Sequence, residues 1–249
     1  MKAWRTSDGQ IVCRVLSGRS NAFLLYNIST HVLIDAGHAN GYRPLSRSLA
    51  QLRVPQEGLA ACVLTHSHFD HAGNAHRIQE SFAAPLIIQH EEAGYLSRGE
   101  NPMIYGTTHF VCLLTHLLGK RVLAYANYTP AVADITFDEQ FDLNPFGLDA
   151  YLLHTPGHSV GSASVIVHHE IAIVGDAMFG VFRNAAFPPF ADLPLVLIES
   201  WKKLLDTGCT LFLPAHGGAV TRELLQREYE KYYYRAKAFS IRTNQRPIL

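Results

Sequence analysis

The seven residues Thr65-His66-Ser67-His68-Phe69-Asp70-His71 restrict what this chain can fold into more than any other stretch in it. Residues 66, 68 and 70 are two apart, so an extended backbone directs their side chains to one side. The apolar run before them, Ala60–Leu64, reads as a buried strand that ends at Thr65. Ala75, Ile78 and Phe82 then mark the apolar face of a helix, and His71, at the helical start, can point back into the same space. Three imidazoles and a carboxylate therefore converge from a short segment, a donor set that suits zinc. From the chain's own histidine and aspartate frequencies, such a run arises by chance about 2 times in a thousand chains of this length.

Three further positions share one grammar: a strand, small residues, then a ligand-type side chain. They are His158 in Thr155-Pro156-Gly157-His158, Asp176 directly after the apolar run Ile171–Gly175, and His216 in Pro214-Ala215-His216-Gly217. Each is weak alone. A solitary turn histidine is usually structural, and an aspartate at a strand end usually caps a loop. Their common placement at strand ends, in a chain with 14 histidines, joins them to the first cluster. His109 and His116 lack that placement and read as surface or core residues.

Around these positions, strand patterns fall at 11–16, 22–28, 31–36, 60–64, 86–89, 135–137, 149–154, 163–168, 171–175 and 211–213. A turn at 17–20 joins the first two. Helix patterns begin near Pro44, at 75–82, and at the stripe Leu197, Ile198, Trp201, Leu204 and Leu205. Residues 90–132 have broken periodicity and read as an insertion or lid, with some helix around 112–118. Residues 219–249 read as a C-terminal helix and tail. Two successive strand-then-helix runs predict an α+β fold, two sheets packed face to face with helices outside, in a single domain over 1–249.

Lys plus Arg equals Asp plus Glu, so no global positive field draws nucleic acid or an anionic membrane. No window approaches the roughly 20 apolar residues of a membrane helix, and the first ten residues lack a secretory apolar stretch. Cys13, Cys62, Cys112 and Cys209 form no CxxC pair, so reduced thiols and a cytoplasmic setting are expected. Tyr229, Tyr232 and Tyr233 lie on one face of the last helix, against the domain or a second subunit in a homodimer.

The ordered positions resemble the five sequence motifs of the metallo-β-lactamase superfamily. Asp35 in LIDAG matches the first, the HxHxDH run the second, His158 the third, Asp176 the fourth and His216 the fifth. The resemblance covers residues 11–218. It implies a four-layer αββα sandwich with a dinuclear metal site at the edge between the sheets. It further implies that His66, His68 and His158 hold one zinc ion, that Asp70, His71 and His216 hold the other, and that Asp176 bridges them. Asp35 is expected to orient ligands without being one. Iron or manganese also suits such donors.

Two metals roughly 3.5–4 Å apart can share a water and lower its pKa towards about 7, giving a bridging hydroxide nucleophile. Asp70 is the expected catalytic proton acceptor and donor. The chemistry expected is cleavage of an ester, thioester or lactone in a small, partly apolar molecule. A phosphodiesterase, or an oxygenase resembling the mononuclear-iron persulfide dioxygenases, is the alternative. Flavodiiron reductases of the superfamily carry Glu where His68 stands, and true β-lactamases lack the aspartate at 176. Glyoxalase II enzymes share all seven ligands but add a helical domain after the last motif, where only 33 residues remain here. Quorum-quenching lactonases place a Tyr where Phe179 stands, and the nucleases bring a basic arm. Aromatic pocket walls are expected from Tyr95, Met103, Tyr105, Phe110, Tyr125 and Tyr128 or from Phe179, Phe182, Phe187 and Phe190, and a substrate carboxylate or carbonyl contact from Arg183 and Asn184.

Overall fold

A computed structural model describes residues 1–102, 105–107, 113 and 126–243. Two mixed sheets follow one another in the chain. The first holds β1 (Lys2–Arg5), β2 (Ile11–Leu16), β3 (Ala22–Tyr26), β4 (His31–Ile34), β5 (Ala61–Val63), β6 (Leu86–Gln89) and β7 (Ile135–Phe137), side by side in sequence order. Strands β1 to β4 form an antiparallel meander, and β4 to β7 run parallel. The parallel steps need crossovers, supplied by helices α1 (Tyr42–Gln51), α2 (Phe69–Ala72) and α3 (Ala75–Phe82), and by α4 (His90–Arg98) after β6.

The second sheet contains β8 (Gln140–Asp142), β9 (Ala150–His154), β10 (Ala163–Val167), β11 (Ile171–Gly175), β12 (Leu211–Pro214) and β13 (Val220–Thr221), ordered β13-β12-β11-β10-β9-β8. Helix α5 (Pro194–Asp206) links β11 to its parallel neighbour β12, and α6 (Arg222–Thr243) follows β13.

Strand alternation explains the layers. Val12, Phe23, Leu25, Val32, Ile34, Ala61 and Val63 face inward and meet Leu152, Ala163, Val165, Val167, Ile171, Ile173 and Leu213 of the other sheet. Their neighbours Cys13, Leu24, Leu33, Cys62 and Leu64 point out, against Leu45 and Leu49 of α1, Ile78 and Phe82 of α3, and Leu96 of α4. On the far side Ile166, Ala172, Val174 and Phe212 pack on Leu197, Trp201, Leu204 and Leu205 of α5 and Leu225 of α6. The αββα order is thus three apolar seams between four layers.

Some features depart from the sequence reading. β1 and β8 are short edge strands whose residues are mostly exposed, so they carry no apolar alternation to read. Helix α4 occupies the start of the stretch taken as an insertion, and Leu96, Tyr128 and Ala131 from that stretch join the first outer core. The helix expected around 112–118 falls, apart from Leu113, outside the described residues, as do Met103, His109, Phe110, His116 and Tyr125. Among the described residues no helix is long and apolar enough to cross a membrane.

Candidate metal centre

All seven ligand-type side chains meet at one edge of the sandwich, five from just beyond strand ends and two, Asp70 and His71, from the short helix after β5. Extended backbone after β5 carries His66 and His68. The single-turn helix α2 carries Asp70 and His71. His158 follows β9, Asp176 follows β11 and His216 follows β12. The cluster therefore spans both sheets. Cross-sheet hydrogen bonds hold the seam there: the Ala163 amide donates to the Thr65 carbonyl at 2.9 Å, and the Asn21 amide to the Ala215 carbonyl at 2.7 Å.

The side chains form three overlapping triads, each with its donor atoms within 4.8 Å of one another: His66, His68 and His158; Asp70, His71 and His216; and, linking them, His66, His71 and Asp176. In the first, His68 Nδ1 lies 2.9 Å from His66 Nε2 and 3.1 Å from His158 Nε2. In the second, His216 Nε2 lies 3.6 Å from Asp70 Oδ2. Asp176 touches both, with Oδ1 3.3 Å from His71 Nε2 and Oδ2 3.5 Å from His158 Nε2 and 3.3 Å from His216 Nε2.

Outer contacts fix which nitrogen faces inward. His158 Nδ1 donates to the Phe190 carbonyl at 3.0 Å, leaving Nε2 for the cluster. His71 Nδ1 donates to Asp35 Oδ2 at 2.8 Å, and His66 Nδ1 lies 3.1 Å from Thr65 Oγ1. Asp35 also accepts from the Thr65 amide at 2.8 Å and from its hydroxyl. This carboxylate thus orients the segment and the His71 ring without entering the cluster, the arrangement that second partners of metal ligands take.

The electrostatics fit cations. Burial holds His68 and His158 down to about 4, and His66 well below its ordinary value, so these imidazoles present lone pairs at neutral pH. Burial opposes a proton on His71 and His216 too, but the carboxylate of Asp35 beside the first and of Asp176 beside both outweighs it and raises them. Burial resists charge on Asp176, yet His71, His158 and His216 hold its carboxyl well below the usual range. Among the described residues, His68 Nε2, His71 Nε2 and Asp176 Oδ1 are buried without a hydrogen-bond partner. Converging imidazole nitrogens and an orphaned carboxylate oxygen are the donor set a pair of divalent ions requires, so the residues fit the group.

One residue absent from the sequence reading stands behind this cluster. Glu92, on α4, is 1% exposed. One of its oxygens accepts from the Ser67 amide at 3.0 Å and from the Ser67 hydroxyl. The other accepts from the Ser159 hydroxyl at 2.6 Å and the Gly161 amide at 3.2 Å. Nothing in the local sequence flags it, because its partners lie 25 to 69 residues away.

The expected aromatic walls separate. Phe179 stacks on His216 with ring centroids 4.5 Å apart, and Tyr128 lines a cavity beside Phe69. Phe187 instead packs on Trp201 and Tyr232 in the outer core. Tyr95, Tyr105 and Phe182 are exposed, and Arg227 donates to the Asn184 backbone carbonyl.

The sequence profile described as "Metallo-beta-lactamase superfamily" matches residues 17–216. The chain is 28% identical over 206 residues to the probable metallo-hydrolase YqgX of Bacillus subtilis, spanning 80% of this chain and 85% of that one. It is 29% identical over 161 residues to the probable metallo-hydrolase MJ0888 of Methanocaldococcus jannaschii, spanning 64% and 68%. Among solved structures, ST1585 from Sulfolobus tokodaii, described as an archaeal metallo-β-lactamase superfamily protein, superposes with a TM-score of 0.61 at 22% identity over 86% of this chain and 80% of that one. The B3 metallo-β-lactamase BLEG-1 does so at 0.63 and 23%, over 87% and 95%. At such identities the structural likeness speaks to the fold.

Proposed function

Because this chain belongs to the metallo-β-lactamase superfamily, we propose that it is a zinc-dependent hydrolase acting on an ester, thioester or lactone of a small, partly apolar molecule. The observation that carries this reading is the convergence of seven ligand-type side chains from both sheets. His66, His68 and His158 would hold one ion, Asp70, His71 and His216 a second, and Asp176 both. Bound there, two such ions supply Lewis acidity and acidify water near neutral pH.

The chain's own residues supply the rest. Asp70 and His216 are the least buried members of the cluster, and Asp70 is positioned to take and return a proton. Phe179 stacks on the ring of His216. A cavity of about 210 Å³ adjoins the segment, lined by Arg19, His38, Ala39, Phe69, Asn127 and Tyr128 among others. Tyr128 is tied to the cluster, its hydroxyl donating to the Ser67 carbonyl at 2.6 Å. The Arg19 guanidinium lies 5.4 Å from the Phe69 ring centroid and has no ion-pair partner among the described residues. This lining favours a substrate with an apolar body and an anionic group.

The test is a hydrolysis panel of lactones, thioesters, aryl esters and phosphodiesters on purified, metal-quantified protein. Two zinc ions per chain, with acyl-substrate turnover lost to a chelator and restored by zinc, is the expected result. A metal-replete chain inert to every acyl substrate, or one holding a single iron, overturns the reading.

A further inference from the structure

We propose that Glu92 is the positioning residue for the three-histidine half of the cluster, clamping the two loops that carry it to the start of one helix. The inference rests on the metal-binding reading above. His66 and His68 flank Ser67, and His158 precedes Ser159 and Gly161. Each loop is bound by a different oxygen of the same carboxylate. Every contact is donated to Glu92, an arrangement matched to a carboxylate acting only as acceptor. Among the described residues no basic side chain pairs with it, so hydrogen bonds alone satisfy this buried carboxyl group, an expensive arrangement if only packing were served.

The contact is made tight by what surrounds it. The Ser159 amide donates to Ser162 Oγ at 3.0 Å, and the two hydroxyls lie 2.7 Å apart, so the loop is closed on itself before it meets the carboxylate. Gly161 lies so near α4 that a Cβ on it would approach Glu92 Cγ to 2.6 Å and Gln89 Oε1 to 2.5 Å. The other half of the cluster is held differently. Asn101 Oδ1 accepts from the Phe69 amide at 2.6 Å, and Ser20 donates to the Asp70 carbonyl. Glu92 makes no hydrogen bond to that half. Its removal should therefore loosen one metal position and spare the other.

Cadmium-113 resonances of the substituted protein separate the two positions, and chelator competition measures the affinity at each. Glu92→Gln keeps the shape but turns one acceptor into a donor facing donors. The expected result is a 10–100-fold loss of affinity at the His66–His68–His158 position, with the Asp70–His71–His216 resonance unmoved. In the chelated protein the Ser67 and Gly161 amides should exchange faster in the variant. Should Glu92→Gln fail to fold, Ser159→Ala cuts the link to one loop and should show a smaller loss at the same position. Wild-type affinity at both positions, or an equal loss at both with amide exchange unchanged, overturns the role of Glu92 alone. A wild-type chain that binds neither zinc nor cadmium overturns it together with the metal-binding reading.

Discussion

Asp35 adopts a left-handed backbone, with φ at 61°. For a residue with a Cβ this costs about 1 kcal/mol, though aspartate tolerates it better than most. The conformation aims one carboxylate at both the Thr65 amide and His71 Nδ1. Asp35→Asn keeps the backbone preference and loses an acceptor. We expect zinc affinity at the Asp70–His71–His216 position to fall about 10–100-fold, measured by chelator competition, with the metal-free fold weakened by about 1–3 kcal/mol. Asp70→Asn should leave KM near wild type and lower kcat by about 10²–10⁴, the range for a lost proton-transfer group. A variant that turns over normally would remove Asp70 from the chemistry. Arg19→Gln should raise KM for carboxylate-bearing substrates and leave neutral analogues unaffected, as steady-state kinetics on matched pairs will reveal. The seven clustered positions were legible in the sequence because metal chemistry admits few residue types and the strand ends announce themselves. Glu92 was not, because adjacent glutamates at a helix start read as a solvated face, and only the folded chain shows what Glu92 holds.

Strands were the easiest elements to read. β3, β4, β6 and β11 are near-continuous apolar runs buried on both faces, with sharp ends at glycine or polar residues. Helix α4 escaped notice because its buried positions are Glu92 and Leu96, with Gly94 between them, and this mixture breaks the apolar period. Its start depends on a cap, Gln89 Oε1 accepting from the Glu91 amide at 2.6 Å. Gly161→Ala forces a methyl into that corner and should destabilise the fold by about 1–3 kcal/mol, seen as a lower melting temperature. On the other outer layer, Trp201 is fully buried and donates from Nε1 to the Ala177 carbonyl at 2.6 Å, one residue beyond Asp176. Trp201→Ala should cost about 3–5 kcal/mol by calorimetry or denaturant titration.

For the whole molecule, protons and the proposed metal ions would compete for the same atoms. His68 and His158 take protons near pH 4 when folded, but nearer 6.5 once unfolded. Between those values the unfolded chain binds more protons, so the metal-free fold loses stability as pH falls from about 6.5 to 4. His71 and His216 are raised, so the stability they contribute is present below about 6.5 and lost as pH rises through their folded values. Melting temperatures of the chelated protein should therefore peak near neutrality, and His158→Asn should flatten the acid limb. A metal-free chain equally stable at pH 4.5 and 7 would contradict this balance. Bound zinc should raise the melting temperature with its concentration, since it binds the folded state.

The first sheet is complete by Phe137 and the second begins at Gln140, so two exposed residues, Asp138 and Glu139, join consecutive halves of the chain. A protease nick between them would leave each fragment a whole sheet, four of the seven ligand positions on the N-terminal piece and three on the C-terminal piece. Neither fragment alone would carry the full set of proposed ligands. Added metal would then set how strongly the severed partners recombine, and reconstitution from separated fragments would become a titratable gauge of the seam itself.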